Sequence, residues 1–170
     1  MEPERCAECG FDATRLTIPD VVTGLRSLGR RWRELFRDVP ADVLRARPEP
    51  LTWSALEYAA HTRDVIALVG WGMEAVLKDD GQTFPGVEPD PLGADHGYNA
   101  LDPAKVLDEL EANAERIAAL ADGARPGAWE HSATLGGEER SAQWFPTHIV
   151  HDATHHLRDV ERGLKALRTG

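Results

Sequence analysis

Cysteine is nearly absent from this chain: Cys6 and Cys9, in a single C-x-x-C, are the only two in 170 residues. That excludes a disulfide framework of the secreted kind. In a reducing compartment the pair reads as a metal half-site, a redox pair, or an ordered arm without chemistry. With no second cysteine pair, a complete zinc knuckle has to borrow histidines from far along the chain. Long hydrophobic runs are also missing. A membrane span needs roughly 20 apolar residues, and the longest candidate here, Val65 to Val76, is interrupted by Gly70 and Gly72. The N-terminus lacks the basic and then apolar regions of a signal peptide, so a cytoplasmic protein is expected. Positive charge is in deficit, with 19 Lys and Arg against 29 Asp and Glu and a formal net charge of −10. Such a surface repels phosphate backbones and anionic lipid, which argues against nucleic acid and membranes as partners. Convincing β-alternation, a Gly-rich phosphate loop, a dinucleotide fingerprint and an acidic calcium loop are all lacking.

What is present is helical period. With 42% hydrophobic and 28% charged residues, the composition is that of one globular domain. Residues 1–16 form a polar arm that carries the C-x-x-C, and residues 17–170 the domain proper. Thr17 reads as an N-cap, with Pro19 and Asp20 in the first turn of a helix ended by Pro40. Val21, Val22, Leu25, Leu28, Trp32, Leu35 and Phe36 recur on its face. A short element and a Pro-rich turn follow. Ser54 and Glu57 then make a capping-box pattern for a second helix running to about Lys78, with Leu56, Tyr58, Val65, Leu68, Val69, Met73 and Val76 as its stripe. Asp102 and Pro103 open a third helix ending near Ala121. Residues 122–140 are read as irregular. Ser141 is expected to cap a last helix that ends near Leu167, with Pro146 in its first turns or at a kink. Residues 79–101, rich in Gly, Pro and Asp, form a long loop between the second and third helices. The expected fold is all-α: a four-helix bundle with one long crossing loop.

Chemistry concentrates in the histidines. Four of the seven lie between His148 and His156. His151 and His155, at i and i+4, stack two imidazoles on one helix face, within reach of one ion. Two imidazoles bind weakly, and His61, mid-way along the second helix, is the natural third ligand. At about 100° per residue, Val150, Ala153, Leu157, Val160 and Leu164 form the core stripe of the last helix. His151 and His155 fall beside Arg158 and Arg162, either facing solvent or lining a polar cavity at the mouth of the bundle. His156 lies nearer the core edge, so His155 is preferred as the ligand. Three histidines leave coordination positions open, the mark of a reactive rather than a structural site. Glu57, Asp64, Asp152 and Asp159 are candidates to orient the imidazoles from behind.

Trp53-Ser54-x-x-Glu57-x-x-x-His61, Tyr98-Asn99-x-x-Asp102-Pro103 and His151-Asp152-x-x-His155-His156 together resemble the DinB-like superfamily of metal-binding four-helix bundles, over most of the chain from about residue 17. With Cys6-x-x-Cys9-Gly10-Phe11-Asp12 they resemble an actinobacterial branch of it. The resemblance implies a metal triad of His61, His151 and His155 holding a divalent ion, zinc or nickel. It implies S-transfer or isomerisation with a low-molecular-weight thiol such as mycothiol, held as thiolate for attack on an electrophile. His156 departs from the Arg or Gly that many relatives carry after the last ligand, and the cysteines, absent from many members of the superfamily, have a role that the resemblance does not explain. On this reading His156 or Arg158 pairs with a substrate carboxylate, and the 79–101 loop, with His96 and Tyr98, covers the site. The partners are a small thiol and its electrophile, and a bundle of this kind admits a homodimer. The alternatives are a non-catalytic metal- or ligand-binding stress or sensor protein, a metal-free structural bundle, and a hydrolase. Hydrolysis ranks lower because no Glu stands in an H-E-x-x-H arrangement.

Overall fold

The computed structural model describes residues 4–86 and 96–169. Four long helices form the body: α1 (Ile18–Phe36), α3 (Ala55–Lys78), α4 (Pro103–Asp122) and α5 (Trp144–Thr169), with a short α2 (Ala41–Arg45) between the first two. Three of them begin where the sequence chemistry says they should. Thr17 and Asp20 close a reciprocal capping box on α1, and Ser54 and Glu57 close one on α3. The Asp102 side chain accepts from the Ala104 amide at the start of α4, with Pro103 in the first turn. Pro146 sits in the first turn of α5, where its missing N–H costs nothing.

Helices α1 and α3 each pack against both α4 and α5, so they occupy opposite corners of the bundle. The core runs through Leu25, Leu28 and Trp32 of α1, Leu56, Ile66 and Met73 of α3, Leu110 and Ile117 of α4, and Ile149, Ala153 and Leu164 of α5. Along α3 the expected stripe holds at Leu56, Met73 and Val76, which are fully buried, and fails in the middle: Leu68 is 52% exposed and Val65 only half-buried, while Ile66 and Gly70 face inward. The reason is small residues: Gly70 and Gly72 let α4 and α5 approach closely, and that fixes which face of α3 is internal. No helix among the described residues is long and apolar enough to cross a membrane.

Short strands also form, where no β-structure was expected. β1 (Arg5–Cys6) pairs antiparallel with β2 (Phe11–Asp12), so part of the N-terminal arm is a hairpin. β4 (Ser132–Leu135) and β5 (Glu138–Ser141) make a second hairpin through Gly136 and Gly137, both at positive φ, as a two-residue turn requires. β3 (Gln82–Phe84), at the start of the long loop, adds to β4 in parallel. Ser141 therefore ends a strand and does not cap α5, which begins three residues later. The stretch 87–95 of the expected crossing loop lies outside the described residues. Its return is pinned to α3 and α2: Ser54 Oγ donates to Asn99 Oδ1 at 2.7 Å, and Arg45 donates to the carbonyls of Asn99 and Leu101.

A Cβ at Gly70 would lie 2.2 Å from Cδ1 and 2.7 Å from Cγ1 of Ile117, which is fully buried. Alanine gains about 1 kcal/mol of helix propensity, but overpacking costs about 1–3 kcal/mol. Gly70→Ala is thus expected to lower the urea midpoint. An unchanged or raised midpoint would show that Ile117 has room to move.

Candidate metal centre

Helix α5 carries two i,i+4 pairs one residue apart, and they face different neighbours. The second pair combines an aspartate with an imidazole: Asp152 and His156 turn toward α3 and meet His61. His151 and His155 turn toward the N-terminal hairpin and meet Cys6 and Cys9. The expected triad of His61, His151 and His155 is thereby divided between two clusters. The cause is the helical rotation of about 100° per residue. His156 lies three residues after Ala153 and four before Val160, both core residues, so its row borders the interior that His61 also borders.

The donor atoms of His61, Asp152 and His156 lie within 4.8 Å of one another. His156 Nε2 is 3.3 Å from Asp152 Oδ1. Two donors on a tetrahedral ion at about 2.0–2.1 Å stand about 3.3 Å apart, so this spacing suits a metal. The second oxygen, Asp152 Oδ2, is buried with no hydrogen-bond partner among the described residues. Two imidazoles and a carboxylate are a donor set for zinc, nickel or iron, with positions left open. Asp159, expected as an orienting carboxylate, does that work for His156, with its Oδ2 3.1 Å from Nδ1. Trp53 and Tyr58 wall the cluster: Trp53 lies 4.8 Å from the His61 ring, and Tyr58 5.0 Å from the His156 ring. Without metal, burial works against a charged His156, but hydrogen bonds to Asp152 and Asp159 outweigh it and raise its pKa to about 9. Burial likewise opposes the Asp152 carboxylate, and the His156 imidazole still holds it below its ordinary value.

In the other cluster, Cys6 Sγ stands 3.7 Å from His155 Nδ1, and His151 Nδ1 lies 2.7 Å from Glu4 Oε1. The Cys9 amide lowers the Cys6 thiol to about 6, helped by His151, while burial raises that of Cys9. Burial lowers the pKa of His151, but Glu4 and Cys6 more than offset it and leave a net rise.

Several expected roles move. Glu57, expected behind an imidazole, caps α3: it accepts from the Ser54 amide at 2.8 Å and from Arg47 Nε at 2.9 Å. Asp152, also expected behind an imidazole, is placed by its carboxylate in one group of possible ligands with His61 and His156. Arg158 is exposed and acts electrostatically on Cys9, on the hairpin side. The Tyr98 hydroxyl is 2.9 Å from Asp64 Oδ2, and its ring stacks on His96, so this buried tyrosine ties the loop to α3. Arg162, not singled out from the sequence, lines a groove of about 350 Å³ with Pro48, Thr52, Tyr58 and Asp159. Its signal was its place one turn beyond Asp159, to which it is hydrogen-bonded.

The raised His156 pKa has a stability consequence in the chelator-treated protein. Its contribution is fully present below the unfolded value of 6.5 and is lost as pH rises through about 9. The stability difference between the chain and its His156→Gln variant, from urea unfolding, should therefore shrink between those pH values. A difference independent of pH over that range would contradict the Asp152–His156–Asp159 arrangement.

Curated protein sequences give no significant match. Among solved structures, the fold is similar to YfiT from Bacillus subtilis, described as a probable metal-dependent hydrolase with an unusual four-helix bundle topology. The TM-score is 0.74 and the identity 13%, over 88% of this chain and 87% of that one. It is also similar to a mycothiol-dependent maleylpyruvate isomerase, with a TM-score of 0.67 and 15% identity, over 86% of this chain and 62% of that one. At these identities the likeness is one of fold. The DinB superfamily model matches residues 25–160, which include His61, Asp152 and His156, and the chain belongs to that superfamily.

Proposed function

We propose that this protein is a metal-dependent enzyme that joins a low-molecular-weight thiol of the mycothiol type to an electrophile, or isomerises an electrophile through such an adduct. The observation that carries this reading is the open donor set of His61, Asp152 and His156 beside a groove that shares Tyr58 and Asp159 with it. A divalent ion held there supplies Lewis-acid chemistry, lowering the pKa of a coordinated thiol or water. His61 and His156 would hold it as neutral imidazoles, so the proton that His156 carries near neutral pH leaves on loading. Asp159 fixes the tautomer and orientation of His156. Trp53 and Tyr58 exclude water from one side. Thr52 and Arg162 offer polar contacts to a bulky polar thiol along the groove.

In S-transfer the thiol proton goes to solvent, a C–S bond forms, and the leaving group departs with its electron pair. In isomerisation nothing is displaced: the thiolate adds to one carbon of a conjugated double bond, and the π electrons pass to the conjugated carbonyl. The resulting carbon–carbon single bond rotates, and expulsion of the thiolate restores the double bond. Of the two solved structures with this fold, the one described as a probable metal-dependent hydrolase supports metal dependence alone, and the mycothiol-dependent isomerase supports the thiol. Glu57, the acidic residue nearest in sequence to His61 on its N-terminal side, is committed to Arg47 and Ser54, which leaves it poorly placed as a base for water attack.

Zinc- or nickel-loaded protein should consume mycothiol in the presence of alkyl or α,β-unsaturated electrophiles. His61→Ala or His156→Ala should reduce kcat/KM by at least about 100-fold. Ester hydrolysis without thiol would reassign the centre to water activation. Tight metal binding with no turnover of either kind would favour a sensor or stress protein. Thiol transfer that survives both substitutions would sink the site.

A further inference from the structure

The arm that carries the two cysteines is folded against α5, and its hairpin has the form of a metal-binding knuckle. Gly10 N donates to the Cys6 carbonyl at 2.9 Å, and Gly10 takes a φ of +75°, so the chain reverses directly after Cys9. Amide N–H groups of Glu8 and Cys9 are directed at the Cys6 sulfur and that of Phe11 at the Cys9 sulfur. Amides aimed at sulfur stabilise thiolates, the form that binds metal. β1 and β2 hold this turn closed, with Cys6 opposite Phe11.

We propose that Cys6, Cys9, His151 and His155 form a closed structural zinc site that clamps the N-terminal hairpin to α5. Their four donor atoms lie within 4.8 Å of one another. Around tetrahedral zinc, a sulfur at about 2.3 Å and a nitrogen at about 2.0–2.1 Å stand about 3.6 Å apart. The Cys6 Sγ to His155 Nδ1 distance is 3.7 Å. His151 engages Glu4 through Nδ1, and its Nε2 is buried without a hydrogen-bond partner among the described residues, a nitrogen that a metal would satisfy. Each imidazole has a carboxylate behind it: Glu4 at His151, and Glu8 3.6 Å from Nε2 of His155. Such pairs fix the tautomer that presents the opposite nitrogen to a metal. Phe11 stacks on the His151 ring at 4.5 Å and covers it from one side. Two thiolates and two imidazoles select zinc and leave no open position, so this site takes no substrate. It shares no ligand with the centre at His61, Asp152 and His156.

The test uses the untagged, reduced full chain, stripped of metal and titrated with cobalt(II), with zinc as competitor. A thiolate-to-cobalt charge-transfer band should appear and be displaced by zinc. Cys6→Ser/Cys9→Ser should abolish it, and His151→Ala/His155→Ala should weaken cobalt binding by at least about 100-fold. His61→Ala/Asp152→Ala should leave it intact. Should the cysteine variant fail to fold, zinc X-ray absorption on the His61→Ala/Asp152→Ala variant decides alone, with two sulfurs and two nitrogens expected around zinc. Absence of the band in the wild-type chain, or a zinc shell of nitrogen and oxygen only, overturns the site. A band unweakened by loss of both histidines overturns its histidine ligands.

Discussion

An α-helix turns about 100° with each residue, so i,i+4 pairs that start one position apart form two rows on different faces. Along α5 this rotation separates His151 and His155 from Asp152 and His156. The first row faces the N-terminal hairpin and the second faces α3. Both neighbours must be in place for the polar face of α5 to be satisfied, because that face carries four histidines and two aspartates beside an apolar row from Ile149 to Leu164. The bundle core sets the rotation of α5, and the rotation sets which cluster each donor joins.

The two clusters share an electrostatic hinge. Asp159 bonds His156 on one side and Arg162 on the other, and Arg162 also reaches Glu8 of the hairpin at 3.0 Å. His155 Nε2 stands 3.8 Å from the same aspartate. A structural ion in the hairpin site would hold α5 against the arm and so steady the aspartate that orients His156. Buried charge is tolerated here because the carboxylates are answered locally, Glu4 by His151, Asp152 by His156, and Asp159 by His156 and Arg162.

Much of this was legible in the sequence where the signal was local. The caps at Thr17, Ser54 and Asp102 each rest on side chains within a few residues of the helix they start, and they stand where the pattern puts them. The His61 helix and the histidine-rich segment were legible for the same reason. The register within that segment was not. Two i,i+4 pairs overlap there, and histidine spacing draws the eye to 151 and 155, whereas a carboxylate serves as well as an imidazole in the pair that faces α3. The position of His156 between Ala153 and Val160 held the discriminating signal. The hairpin over 132–141 escaped because four-residue strands with Glu138 and Glu139 show no alternation, although Gly136-Gly137 is a strong turn signal. The docking of the N-terminal arm on α5 brings together Cys6 and His155, 149 positions apart, a contact that no local pattern encodes.

The central claim is that α5 presents two separate metal positions. Anomalous diffraction from crystals of the metal-loaded protein, recorded on both sides of each absorption edge, tests it most directly. Two peaks are expected, one enclosed by Cys6, Cys9, His151 and His155 and the other bounded by His61, Asp152 and His156. A single peak coordinated jointly by His61, His151 and His155 would contradict it.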